Sequence, residues 1–127
     1  MEKMDFYLVN IHSFNVDVAK DYGILEAVFI NELAYWVTLN MRNDTHYYEG
    51  RYWVSYTRKA LSELFPYASE KQMRRVTDKL TKEGIIVKGN FNASKYDRTL
   101  WYSFTDKGIE LLVRYGILRN QTGTGGR

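Results

Sequence analysis

The chain has 127 residues, 45% of them hydrophobic and 16% aromatic, and carries 18 basic against 15 acidic residues for a net charge of +3. That is the length of one domain, with enough apolar side chain to build a core. The lack of cysteine excludes disulfides and thiolate metal sites, and no apolar run approaches the roughly 18 residues of a membrane span.

The N-terminal segment MEKMDFYLVN lacks the basic, apolar and small-residue succession of a secretory signal, so no membrane partner is expected and the cytoplasm is the expected compartment. In chain order, residues 5 to 11 read as a strand or an extended arm. Val16 to Tyr22 forms a short helix that Gly23 ends. Ile24 to Met41 is a long helix of unusual hydrophobicity, with Leu25, Val28, Phe29, Tyr35, Trp36 and Leu39 on one stripe and Ile24, Ala27, Ala34, Val37 and Met41 widening it. That arc is broader than one core needs, and two readings stand: a central helix, which is favoured and makes Tyr35 and Trp36 core, or a helix partly given to a dimer surface.

Asn43 to Gly50 is a polar connection, and Arg51 to Ser55 reads as a strand. Thr57 to Phe65 makes a short helix with Ala60, Leu61, Leu64 and Phe65 on its apolar side, closed by Pro66, which cannot continue it. After the tight turn Pro66-Tyr67-Ala68 comes Ser69 to Gly84. Ser69 and Gln72 have the spacing of a capping box, and Gly84 is the usual left-handed stop. At about 100° per residue Met73, Val76 and Leu80 share one narrow face, while Lys71, Arg75, Asp78 and Lys82 share the opposite one, with Arg74 and Lys79 at its margins. Such a basic face can be a solvated surface with ion pairs of Asp78 to Lys82 or Arg74. Its neighbours favour a helix-turn-helix whose second helix enters a major groove.

Ile85 to Lys88 and Thr99 to Phe104 read as strands bracketing the polar loop Gly89 to Arg98. A helix-turn-helix followed by a hairpin is a winged helix, and Arg51 to Ser55 supplies the third strand that a hairpin needs for stability. Trp53, Trp101, Tyr102 and Phe104 read as core. Thr105 and Asp106 cap a last helix through Ile109, Leu111, Leu112 and Tyr115, ended by Gly116. The tail Asn120 to Arg127 has linker composition, either a cut domain edge or a natural flexible end. The expected class is therefore α+β, mainly α: a winged helix-turn-helix with a three-stranded antiparallel sheet and extra N- and C-terminal helices. The winged-helix domain spans 1–116, and 117–127 is a flexible tail or the start of a linker.

Charge clusters on this unit. Between Thr57 and Arg98 there are ten basic and five acidic residues, a net of +5, whereas the rest of the chain has −2. Clustered Lys and Arg displace counterions from phosphates, which makes double-stranded DNA the expected partner. An enzyme is not expected: His12 and His46 are far apart and lack further ligands at metal spacing, each reading as a surface or cap residue. No glycine-rich loop joins a strand to a helix, and no carboxylate pair stands out. No cofactor and no metal site are expected.

Lys71, Gln72, Arg74 and Arg75 occupy the first turns of the reading helix, the half that this motif points at base edges, with Ser69 at its cap and Lys79 further along. Arginine can pair bidentately with guanine, and Gln72 with adenine if capping leaves it free. Ser55, Tyr56, Thr57, Arg58 and Lys59, around the start of the supporting helix, are expected at phosphates. Asn92, Ser94 and Lys95 in the loop are expected at phosphate or minor groove. Arg98 is expected either there or paired with Asp97 to shape the loop.

Several strings, Ala19-Lys20-Asp21-Tyr22-Gly23 with Glu26-Ala27, Tyr35-Trp36, Gly50 to Val54, Ser69 to Gly84 and Tyr96 to Tyr102, run through nearly the whole chain up to about Phe104. Together they resemble the N-terminal winged-helix domain of replication initiator, or replisome organiser, proteins from phages and plasmids of Gram-positive bacteria. The most specific piece is Asp-Arg-Thr-x-Trp-Tyr after the loop, and a departure is Leu25, where many relatives carry a polar capping residue. The resemblance implies binding to repeated sites at a replication origin and a separate C-terminal region, absent from this sequence, that recruits host replication proteins. Two other uses of the same fold remain open. One is a transcriptional regulator dimerising on a palindrome, through the 24–41 helix or the N-terminal arm. The other is a winged helix used only for protein contact.

Overall fold

The computed structural model describes residues 11–119. The arm expected at residues 5–11 lies, but for Ile11, outside the described residues, as does the tail from Asn120. The fold is α+β, with helices α1 (Val16–Tyr22), α2 (Ile24–Asn43), α3 (Arg58–Leu64), α4 (Glu70–Lys82) and α5 (Asp106–Arg114). Strands β1 (Tyr47–Tyr48) and β2 (Arg51–Tyr52) form a two-stranded hairpin, and β3 (Val54–Tyr56), β4 (Ile86–Gly89) and β5 (Leu100–Phe104) form a three-stranded antiparallel sheet.

Asn15 starts α1 by accepting the Val18 amide at 3.0 Å. Gly23 separates α1 from α2 with a φ of 116°, a backbone that side chains rarely adopt. A Cβ there would lie 2.3 Å from Glu26 Oε1, so the glycine also makes room for this carboxylate in the first turn of α2. No side chain caps α2, whose first residue is Ile24.

α2 is the central helix. Phe29 and Leu33 are fully buried, and Phe29 meets Tyr102 of β5 edge-on at 5.7 Å and Phe65 at 6.1 Å. The rest of the core comes from Val18, Val76, Leu80, Ile85, Ile86, Phe104 and Leu112. The buried face of α2 is Glu26 to Ile30, Leu33, Ala34 and Val37, which keeps Val28 and Phe29 of the expected stripe and Ala27, Ala34 and Val37 of its margins but not the rest. Tyr35, Trp36, Ile24 and Met41 are exposed and Leu25 and Leu39 half-buried. Apolar residues surround this helix, so periodicity could not tell which side would dock. Ala60, expected on the apolar side of α3, is likewise exposed; only Leu61 and Phe65 are buried there, with Leu64 partly so.

The connection expected over 43–50 contains β1, and the strand expected over 51–55 is broken at Trp53 into β2 and β3. The β1–β2 turn is Glu49-Gly50, both at positive φ, as a two-residue hairpin loop requires. In the larger sheet β5 is central: Val54 pairs with Tyr102, and Ile86 with Phe104. Thr105 caps α5 by accepting the Gly108 amide at 2.9 Å. Ile117 and Leu118 then bond back to the Leu112 carbonyl and pack against the core.

Candidate nucleic-acid interface

The start of α4 is held by a complete capping box. The Ser69 hydroxyl accepts the Gln72 amide at 3.0 Å, and Gln72 Oε1 accepts the Ser69 amide at 2.8 Å. Capping therefore occupies the Gln72 carbonyl oxygen, and the bidentate pairing with adenine expected of this residue is not open to it while the box is intact. Met73, Val76, Thr77 and Leu80 dock into the core, and Lys71, Arg74, Arg75 and Lys82 face outward.

The ion pairs on this face differ from those expected. Asp78 binds neither Lys82 nor Arg74 but Lys88 of β4, and Arg74 lies 3.9 Å from Glu70. Lys79, expected at DNA, reaches back to Glu26 at 3.2 Å and to the Tyr22 carbonyl at 2.6 Å. Its long stem swings toward the α1–α2 junction because a buried carboxylate sits there. Among the described residues, no carboxylate pairs with Lys71, Arg75, Lys82, Lys95 or Arg98.

Beside α4 lies a cleft of about 230 Å³ between α3, α4, β4 and β5. Its apolar lining is Leu61, Ala68, Met73, Leu100 and Tyr102, and Arg58, Glu70, Arg74, Asp78 and Lys88 also line it. Arg58 stands 3.5 Å from Glu70. Arg58, Lys88, Leu100 and Tyr102 also line a shallower groove that continues along the loop between β4 and β5, past Asn90, Lys95 and Arg98. On its other side the cleft shares Arg74 and Asp78 with the outer face of α4. The three concavities make one continuous surface lined by nine basic residues (Arg58, Lys71, Arg74, Arg75, Lys79, Lys82, Lys88, Lys95, Arg98) and three acidic ones (Glu70, Asp78, Asp97). Lys88 was not among the expected site residues. Strand alternation could not have found it, since Lys88 shares a face of β4 with buried Ile86 and is nevertheless exposed.

The β4–β5 loop is built by its own hydrogen bonds. Asn92 donates to the carbonyls of Asp97 at 3.0 Å and Thr99 at 3.1 Å, and its Oδ1 accepts the Trp101 indole N–H at 2.8 Å. Asn92, expected at phosphate, is thus a loop-shaping residue. Asp97 does not pair with Arg98: its Oδ1 accepts the Thr99 hydroxyl and amide, which hold its carboxyl below the ordinary carboxylate range. The Ser94 hydroxyl accepts the Tyr96 amide at 3.1 Å. Lys95 and Arg98 remain exposed.

Behind the loop is a second aromatic cluster. Phe91 stacks on Tyr48 at 4.7 Å and packs on Trp53 at 4.8 Å and Trp101 at 5.6 Å. Gly89 lets these rings close, since a Cβ there would stand 2.8 Å from Trp53 and Phe91. Trp53, Trp101, Tyr102 and Phe104 are all buried, as expected, but Trp53 and Trp101 pack outside the main core cluster, against Phe91 and the β1–β2 hairpin.

Of the expected phosphate contacts near α3, Arg58 and Lys59 are exposed, and the Thr57 hydroxyl caps α3 by accepting the Ala60 amide. Tyr56 is not available: the pleat turns it into the core, where burial pushes its hydroxyl above the ordinary tyrosine range. Ser55 is half-buried and, with Tyr56, lines a pocket of Trp36, Asn40, His46 and Leu64 that shares no lining residue with the basic surface. His46 is exposed with a φ of 58°. His12 is half-buried, set between the Tyr67 hydroxyl and Glu32 and against Phe65. Among the described residues no cluster of His, Asp and Glu is arranged to hold a metal, and no helix is long and apolar enough to cross a membrane. No protein-family model, curated protein or solved structure matches this chain.

Proposed function

We propose that this chain binds double-stranded DNA as a winged helix, with α4 as the reading helix in the major groove, α3 as its support and the β4–β5 loop as the wing. The observation that carries this is the continuity of one basic surface from the outer face of α4, through the α3–β4 cleft, to the wing. Lys71 and Arg75, in the first half of α4 and without acidic partners among the described residues, are its base-reading side chains. Arg58, Lys88, Lys95 and Arg98 take phosphates. The resemblance to replication initiators makes origin recognition the setting, with host replication proteins as further partners.

The test is fluorescence anisotropy with random duplex and with fragments of the chain's own gene, titrated in salt. A steep salt dependence with preference for one fragment supports the reading, and no binding at low salt overturns it. Tandem repeats in the preferred fragment would assign an initiator; a palindrome would assign a transcriptional regulator. The exposed edge-to-face pair Tyr35 and Trp36 on α2 favours a protein contact in addition, with a second copy of the chain. Sedimentation of the wild type and Trp36→Ala tests it, a monomer at all concentrations excluding the dimer.

A further inference from the structure

We infer that Tyr96 is a DNA contact in its own right, an apolar probe that the wing inserts into the minor groove; this rests on the duplex-binding reading above. At 79% exposure its ring is the most exposed of the large hydrophobic side chains among the described residues. An isolated exposed aromatic is ordinary on a mobile loop, but the backbone on both sides of this one is fixed. The Tyr96 amide donates to Ser94 Oγ, the Asp97 amide donates to the Ser94 carbonyl at 3.1 Å, and the Asp97 carbonyl is held by Asn92, itself bonded to the buried indole of Trp101. The ring is thus carried outward on a loop tied to the folded body. Ordering that loop on binding costs little, and the apolar area of the ring is still to be buried.

The neighbouring charge identifies what the ring meets. Lys95 Nζ stands 5.4 Å from the ring centroid, and Arg98 is exposed two residues on. An aromatic side chain flanked by cations suits a surface that offers apolar sugar and base edges between two rows of phosphates. The minor groove is such a surface, and it is too narrow for a helix but open to a single side chain on a loop. A hydrophobic protein partner would leave the two cations uncompensated. A bare phosphate track would leave the ring in water.

Two alternating duplexes, poly(dG-dC) and poly(dI-dC), test this. They present the same hydrogen-bonding edges in the major groove and differ in the guanine 2-amino group, which stands in the minor groove. Wild type is expected to bind the inosine duplex several-fold more tightly, because the groove floor is open to the ring. Tyr96→Ala should lose roughly 5- to 20-fold in affinity for the inosine duplex and its preference between the two, with the salt slope unchanged. Tyr96→Phe should behave as wild type. Lys95→Ala should instead lower the salt slope by about one while keeping the preference. If Tyr96→Ala binds both duplexes as wild type does, the inference fails while duplex binding stands. A loss of affinity accompanied by a lower melting temperature would reassign the ring to holding the loop. If wild type binds neither duplex even at low salt, the duplex-binding reading fails and takes this one with it.

Discussion

The ammonium of Lys79 lies 3.2 Å from the carboxylate of Glu26, joining α4 to the first turn of the central helix α2. The Glu26 side chain is only 12% exposed, and that of Lys79 is 42% exposed. Lys79→Ala strands a largely buried carboxylate and the Tyr22 carbonyl, for an expected loss of about 1–2 kcal/mol in urea denaturation, solvent at the lysine keeping it from being larger. The salt slope for DNA should be unchanged, because this cation is already committed within the protein.

Arg75 is the contrasting case on the same helix, exposed and unpaired among the described residues. Arg75→Ala should weaken binding to the preferred duplex by about 1–3 kcal/mol, and binding to random duplex much less. Equal loss on both, measured by anisotropy, would place Arg75 at the backbone instead of at a base.

Asp78 holds Lys88 across the cleft, so on the proposed function a phosphate bound by Lys88 would have to displace a carboxylate. Asp78→Asn should therefore raise affinity for every duplex, about 3- to 10-fold at moderate salt, and steepen the salt dependence by about one. An unchanged slope in a full salt titration would show that Lys88 does not reach DNA.

Asn92→Ala removes the three bonds that shape the β4–β5 loop and leaves the Trp101 indole N–H without its partner. The expected cost is about 1–3 kcal/mol of stability, with faster hydrogen exchange at the Thr99 amide and, on the proposed duplex-binding function, weaker DNA binding. Exchange at Thr99 identical to wild type would mean that the loop holds its shape without Asn92.

The Tyr115 hydroxyl donates to the Asp21 carboxylate. Burial first, and then that carboxylate, push its pKa up to about 12. Between the ordinary tyrosine range near pH 10 and about pH 12, the unfolded chain gives up this proton before the folded one, so stability falls as pH rises. Tyr115→Phe should flatten that alkaline fall in thermal melts at pH 9 to 11. A residual slope is expected from Tyr56, shifted in the same direction by its burial.

Much of this protein was legible in its sequence because much of it is local. The Ser69–Gln72 capping box, the Thr105 cap, the stop at Gly23 and the docking face of α4 depend on residues within one or two turns of one another, and each is present in the fold. Strands β4 and β5 follow from β-branched and aromatic runs, and the third strand from the same signal at residues 51–55, though Trp53 interrupts it. The β1–β2 hairpin was not legible, because its strands are two residues long and its turn asks a glutamate to adopt a positive φ.

By itself the sequence determined the five helices and the strands flanking the 89–98 loop, and that basic charge gathers between Thr57 and Arg98. Only the tertiary structure decided which side of α2 faces the core, since that helix is apolar all round. Only it decided which of the basic residues are spent internally, because Lys79 finds Glu26 from 53 residues away and Asp78 finds Lys88 in the next element. An ion pair between elements is set by how the elements pack, and packing is a property of the whole chain that no local spacing encodes.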